Sequence, residues 1–256
     1  MATSSQPDRP TSSETGTGRP LRVLAVPIVH NEEKKIGSVL DRFHRPDVDE
    51  ILVIDDCSTD GSPETIRARG IKSVRHAQRM GVGSAIRTAI AYARENHFDV
   101  LVILAGNDKD RPQEIPRLLQ PIREEGYHFI QGSRYLPDGD FGNMPIYRRI
   151  ATQFVHPLLF TLVARRRITD STNGFRAFRL SLLDDPRIDL NQEWLSAYEL
   201  EPYLFFKAIR LGYKVKEVGV TKIYPAHELG YTKMKPITGW WSILRPLVFL
   251  GLGIKK

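Results

Sequence analysis

Asp108 and Asp110 stand two residues apart, just after Asn107, in a segment rich in oxygen donors. Hard divalent cations such as Mg2+ and Mn2+ take oxygen ligands, often one or two carboxylates completed by substrate phosphates. On a loop leaving an apolar run, these two aspartates are expected to converge on one such ion. The competing role is helix capping ahead of Pro112, where aspartate is common. A second acidic pair, Asp55 and Asp56, closes another apolar run. One of them suits a nucleobase or ribose as hydrogen-bond acceptor while the other caps the turn before Gly61; the plainer alternative leaves both to the turn. Glu199 and Glu201 follow in AYELEPYLFFKAIR. Helical positions two apart diverge by about 200°, so at most one faces a cleft, and Glu199 is read as the base or acceptor-orienting acid. Gly81-Val82-Gly83-Ser84 opens like a dinucleotide fingerprint, yet Ile86 holds the place of its third glycine. Close helix packing is the expected role there.

These residues need elements to carry them. From Leu21 the chain alternates apolar runs with helical periods, the pattern of a mostly parallel sheet with crossover helices. LRVLAVPIV, EILVIDD, the weaker IKSVRHA, VLVILAG and FIQGSRY read as five strands. Asn31 is placed to cap a helix through EEKKIGSVLDRF, with Glu32 and Glu33 at its positive end. MGVGSAIRTAIAYAREN is amphipathic, with Ile86, Ala89, Ile90 and Ala93 on one face, and another helix is expected from near Pro112. After Tyr135 the alternation stops. LPDGDFGNMP is a loop, Tyr147 to Arg167 an apolar helical stretch kinked at Pro157, and TDSTNGFRAFR a loop entering a short strand. Leu195 to Leu211 reads as helix and YKVKEVGVTKIYP as a last strand. The change near residue 136 marks two halves of one domain.

Each strand run ends in polar residues: His30-Asn31-Glu32 after Val29, Asp55 to Ser58 after Ile54, Arg75 to Arg79 after Val74, Asn107 to Asp110 after Gly106, and Gln131 to Arg134 after Ile130. In open parallel sheets the ligand crevice lies outside the carboxyl ends of the strands, so these clusters are expected along one edge. Their mixture of acids and bases suits a phosphate-rich ligand.

The bulk composition fits. With 41% hydrophobic residues in 256, the chain has ample core and is not disordered throughout. A net charge of +7 points to nucleotide phosphates, anionic lipid or nucleic acid. Cys57, the single cysteine, fits a reducing cytoplasm. Residues 1–20 are expected to be a disordered tail without the apolar core of a signal peptide. No uncharged apolar stretch is long enough for a transmembrane helix.

Taken together, AVPIVHNEEKKI, ILVIDDCSTDGS, RMGVGSAIRTAI, the Asn107–Asp110 loop, GSRY, TDSTNGFRAFR and ELGYTKM resemble family 2 glycosyltransferases of the GT-A fold, above all polyprenol-phosphate (dolichol-phosphate) mannose and glucose synthases. The resemblance spans Leu21 to about Met234 and implies one GT-A domain over residues 21–235. It implies that Pro27, Asn31 and Asp55 meet the base and ribose of a UDP- or GDP-sugar, with Arg79 and Ser84 nearby; Asp56 and Asn107, from the acidic pair and the acidic loop, are expected to join them in binding the nucleotide-sugar. It further implies that Mg2+ or Mn2+ on the acidic loop holds the diphosphate, that Arg134, Arg176 and Lys233 meet donor or acceptor phosphates, and that transfer inverts the anomeric centre. One departure bears on the metal: the family's Asp-x-Asp is replaced by Ala105-Gly106-Asn107, which shifts metal binding to Asp108 and Asp110.

The acceptor implied is a polyprenyl phosphate. Anionic near neutral pH, it needs positioning cations more than a base, whereas an alcohol needs a carboxylate to take its proton. PLLFTLVARRR and the 236–256 segment with WWSILRPLVFLGLGIKK pair apolar runs with basic ends, as expected of a protein lying on the inner face of a membrane. A soluble hydroxyl acceptor, as in antibiotic or polysaccharide assembly, is the second reading. A basic nucleic-acid or membrane-binding module without catalysis is the third. Strand ends rich in Asp, Glu and Asn argue against nucleic acid. The sequence leaves the oligomeric state open.

Overall fold

Strand β1 (Val23–Val29) turns alternate side chains to opposite faces of a sheet. Leu24 and Val26 enter one core cluster, and Val23, Ala25 and Val29 enter the other. The same division runs through β2 (Glu50–Asp55) and β4 (Val100–Ala105), both apolar on two faces, as a strand covered by helices on both sides must be. The computed structural model describes residues 19–224 and 238–255. Its sheet adds β3 (Lys72–Arg75), β5 (Phe129–Ser133), β6 (Arg176–Arg179) and β7 (Val215–Gly219), in the order β3-β2-β1-β4-β6-β5-β7. All pairings are parallel except those of β6, which runs against β4 and β5. The expected mostly parallel α/β sheet is what forms.

On one face lie α1 (Glu33–Asp41), α2 (Ser62–Arg67) and α4 (Ile115–Glu124), burying Ile36, Val39, Ile66, Leu118 and Ile122. On the other lie α3 (Val82–Glu95), α6 (His156–Ala164), α7 (Leu200–Arg210) and α8 (Thr238–Gly251). The predicted face of α3 is the buried one. Phe129 stacks between Phe178 and Phe205, 5.9 and 5.2 Å away. Leu247 brings α8 into the same core. At roughly 1.5–3 kcal/mol per fully buried large side chain, these two clusters fix the ends of β1, β4 and β6 relative to one another.

Two local expectations change. Asn31 does not cap α1; the cap position is Glu32, and the Asn31 side chain accepts from the Thr59 backbone N–H at 2.7 Å instead. Its φ of 54° turns the chain out of β1 toward the loop after β2. The apolar stretch around Pro157 is no simple kinked helix. It comprises α5 (Ile146–Ile150), a π-helical turn over Ala151–Val155, and α6 with Pro157 in its first turn. A π turn takes up the irregularity that a proline inside an α-helix would otherwise force.

Candidate functional site

The carboxyl ends of β1 and β4, the amino end of antiparallel β6 and the chain just past β7 surround a cavity of about 530 Å3. His30 and Asn107 reach it from β1 and β4. Ser171, Thr172, Gly174 and Arg176 reach it from the segment entering β6, Lys222 from beyond β7, and Arg79 and Gly81 from the loop before α3. Ala197, Tyr198 and Glu201, at the start of α7, and Ile243 of α8 close it.

The two acids after β2 divide their work. Asp56 accepts from the backbone N–H of Met80 at 2.8 Å and of Gly81 at 2.9 Å, and from His76 Nδ1 at 2.9 Å. An ionised carboxylate only accepts, so His76 carries its proton on Nδ1. Burial would raise the Asp56 pKa, but the His76 hydrogen bond and the two backbone donors outweigh it and hold the carboxyl below its ordinary value. Asp56 thereby ties the Arg79–Gly81 loop to the end of β2. Asp55 accepts from the Ser58 N–H at 2.9 Å through Oδ1, while buried Oδ2 has no hydrogen-bond partner among the described residues and faces Arg75 Nε at 3.4 Å. A buried acceptor in that condition is suited to a ligand donor.

The glycines before α3 serve close packing, as expected. A Cβ on Gly83 would come within 2.0 Å of the Leu195 carbonyl oxygen, and Gly81, with φ 90°, would meet that of Ser196 at 2.6 Å. These approaches press α3 against the segment that carries Tyr198 and Glu201. Ser84 takes part in this packing: its N–H donates to Ser196 O at 3.2 Å and its hydroxyl accepts from Arg87 at 2.9 Å.

The acidic loop splits. Asp108, held at φ 61°, pairs with Arg42 at the end of α1. Asp110 is fully buried, accepts from the Ala105 N–H at 3.1 Å and pairs with Lys222 Nζ at 2.5 Å. Of Asn107, Asp108 and Asp110, Asn107 alone lines the cavity, its Oδ1 accepting from the Lys109 N–H at 3.3 Å. Lys109 lies buried over the Tyr224 ring at 4.5 Å, and Arg148 lies over the same ring at 5.6 Å. Burial, then the positive charges of Lys222, Arg148 and Lys35, lower the Lys109 pKa to about 7, with Asp110 pulling the other way.

Of the residues singled out in the sequence, Asp56, Arg79, Asn107 and Arg176 share the cavity. Pro27, within β1, and Asp55, at the end of β2, are both buried and do not line it. Arg134 is 3% exposed and gives a two-pronged bond to Asp170 at 2.6 and 2.7 Å, so it organises the β5 end rather than reaching phosphate. Glu199 is likewise turned away. Its Oε1 accepts from Arg245 of α8 at 2.6 Å and its Oε2 from the Ala197 N–H at 3.2 Å. Glu201 is the acid of that pair at the cavity, 3.2 Å from Arg176. Lys233 lies outside the described residues. Lys222 and Tyr198 were not anticipated. Lys222 was read as part of the last strand, whereas β7 ends at Gly219 and releases Lys222 to the edge.

The model of the glycosyl transferase family 2 domain matches residues 25–185. The undecaprenyl-phosphate mannosyltransferase of Micrococcus luteus is 29% identical over 221 residues, covering 84% of this chain and 88% of that one. The polyprenol monophosphomannose synthase of Mycolicibacterium smegmatis is 28% identical over 243 residues, 91% and 89% of the two chains. Among solved structures, glucosyl-3-phosphoglycerate synthase from Mycobacterium tuberculosis, in complex with Mn2+, UDP and glucosyl-3-phosphoglycerate, aligns with a TM-score of 0.64 at 22% identity, covering 92% of this chain and 81% of that chain. That likeness bears on the fold, which is of the GT-A type.

Proposed function

The chain belongs to glycosyl transferase family 2, and from that premise we propose that it moves a hexose from a UDP- or GDP-sugar to a polyprenyl phosphate at a membrane surface. It is a nucleotide-sugar glycosyltransferase; donor, acceptor and location are the proposal. The observation that carries it is the meeting, in one cavity at the strand ends, of Arg79, Arg176 and Lys222. Three cations from sequence-distant segments suit the phosphates of a nucleotide-sugar donor.

Transfer breaks the bond from the anomeric carbon to the diphosphate oxygen and forms one to an oxygen of the acceptor phosphate. The leaving diphosphate gains negative charge, which fixed cations stabilise as it develops. A phosphate acceptor is already ionised, so no base is called for, consistent with Glu201 being paired to Arg176. A single displacement of this kind inverts the anomeric centre.

A divalent ion does not fit the described donors. Asp108 and Asp110 point to separate cations. Glu32 at the cavity is paired with Lys35, Asp56 is saturated, and Glu201 holds Arg176. Among the described residues no three acidic, histidine or cysteine side chains cluster as a cation site.

Two relatives named for polyprenyl phosphates support the lipid acceptor. So does the exposed apolar face of α5 and α6, where Ile146, Tyr147, Phe154, Leu158 and Leu162 are each 60% exposed or more. Arg165, Arg166 and Arg167 follow at its end. No described helix is long and apolar enough to cross a membrane; the contact proposed is that of this exposed face with the membrane surface. The test is incubation of the purified protein with UDP- and GDP-hexoses and a polyprenyl phosphate in detergent. Label is expected in the lipid phosphate; transfer solely to unphosphorylated acceptors would reject this reading.

A further inference from the structure

Arg176 is 2% exposed and lines the cavity. Its terminal nitrogens donate to Asn173 O at 2.5 Å and Glu201 O at 3.0 Å, but its Nε, buried, meets no hydrogen-bond acceptor among the described residues. Leaving a buried donor unsatisfied costs about 1–3 kcal/mol, more for a charged group, so this nitrogen is placed for a ligand oxygen. Lys222 stands on the same wall, bonded on one side to Asp110 and at 3.3 Å to Asn173 Oδ1. Arg79 completes the rim from the exposed loop before α3. Behind Lys222, Lys109 and Arg148 share the Tyr224 ring. The acids facing the same space are each engaged: Glu32 by Lys35, Asp56 by His76 and two backbone donors, Glu201 by Arg176. The loop leaving β4, where an ion between strand edge and diphosphate would be held, presents the neutral amide of Asn107.

We propose that this protein binds the diphosphate of its donor through its own cations, Arg79, Arg176 and Lys222, without needing a divalent metal ion. The inference rests on the donor reading above and specifies how the same cavity meets the phosphates. With Lys222 paired to Asp110 and Arg176 to Glu201, the three side chains leave this wall net positive, the sign a nucleoside diphosphate needs. The exposed guanidinium of Arg79 can match phosphate oxygens in pairs, and Arg176 adds its Nε. An ion added to this wall would compete with cations already in place, and the unfavourable charge contact would offset what it gained from the phosphates.

Calorimetric titration of UDP and of GDP, first into protein stripped with EDTA and then with Mn2+ added, tests this directly. The nucleotide that binds is expected to bind the stripped protein within about threefold of its affinity with Mn2+. Arg79→Gln, at an exposed position where folding is not at stake, is expected to weaken binding by about tenfold under both conditions, the size of one charge-assisted hydrogen bond. Asn107→Asp, which puts a carboxylate on the loop facing the cavity, is expected to make affinity respond to Mn2+. Binding that vanishes on chelation and returns with Mn2+ in the unaltered protein overturns the inference and leaves the donor reading standing. Failure of both nucleotides to bind under either condition overturns the two together.

Discussion

Asp56 has three donors converging on two oxygens, and none of them belongs to a ligand. The Arg79–Gly81 loop is therefore held to β2 by a buried, ionised carboxylate whose exchange for an amide is isosteric but electrically wrong. In Asp56→Asn an N–H2 group must face either the His76 proton or a backbone N–H. A loss of about 1–3 kcal/mol in unfolding free energy is expected, read by urea denaturation, together with weaker nucleotide binding because the loop carrying Arg79 loosens. Unchanged binding in a destabilised variant would mean that Arg79 acts without that anchor. At this scale the sequence was partly readable. Adjacent acids closing a buried strand could be recognised as a working pair, yet which one serves the turn depends on strand pleat. Asp55 bonds locally to Ser58, while Asp56 reaches across to residues 76, 80 and 81. For Glu199 and Glu201 the divergence of two helical positions was legible. The choice between them was settled by Arg245, 46 residues further on, which no local pattern announces. Arg134 shows the same limit, since its partner Asp170 lies 36 residues away.

Elements were read more securely than their junctions, because apolar periodicity reports which face is buried but not how a chain turns between elements. Among the described residues, all seven strands lie within the runs that mark them. The antiparallel course of β6 was not legible: a four-residue strand pairs as its neighbours allow, and Arg176 sits opposite both Ile103 and Gln131. The α5–α6 stretch holds a buried histidine at the junction after its π turn. His156 is 1% exposed, and burial lowers its pKa from 6.5 to about 4, with Asp170 raising and Arg134 further lowering it. Between these two values the unfolded chain binds the proton and the folded chain resists it, so stability falls as pH drops from 6.5 toward 4. The shift corresponds to about 3 kcal/mol at most across that window. Unfolding midpoints measured from pH 7 to 4 are expected to drop more steeply in the native protein than in His156→Gln, which keeps a neutral polar side chain there. Parallel slopes in the two proteins would show that His156 takes up its proton without resistance from the fold.

Seen whole, the molecule has two adjoining surfaces of different character, and α8 joins them. Ile243 of that helix lines the cavity, while its Gly251 packs beside Val163 of α6. From there the exposed stripe runs back through Leu162, Leu158, Phe154, Ile150 and Ile146, every fourth residue. In an unbroken α-helix a fourfold spacing drifts around the axis by about 40° per step. The π turn over Ala151–Val155, wound with more residues per turn, takes back part of that drift and keeps the five side chains on one side. The sequence marked residues 147–167 and 240–254 as separate apolar stretches beside basic ends; that they are neighbours is a property of the fold alone. An apolar band of this size rimmed by arginines matches an anionic lipid surface, and on that surface a polyprenyl phosphate would reach the cavity without leaving the bilayer. Phe154→Glu combined with Leu158→Glu changes two side chains that are each 60% exposed, so the core is untouched. At roughly 1–2 kcal/mol for each partly immersed side chain, the pair is expected to weaken association with vesicles of mixed neutral and anionic phospholipid by at least about tenfold in flotation. Nucleotide binding in solution should stay unchanged and transfer to a polyprenyl phosphate in vesicles should fall. If the variant floats as well as the native protein, this face does not meet the membrane, and the lipid acceptor must arrive by another side of the cavity.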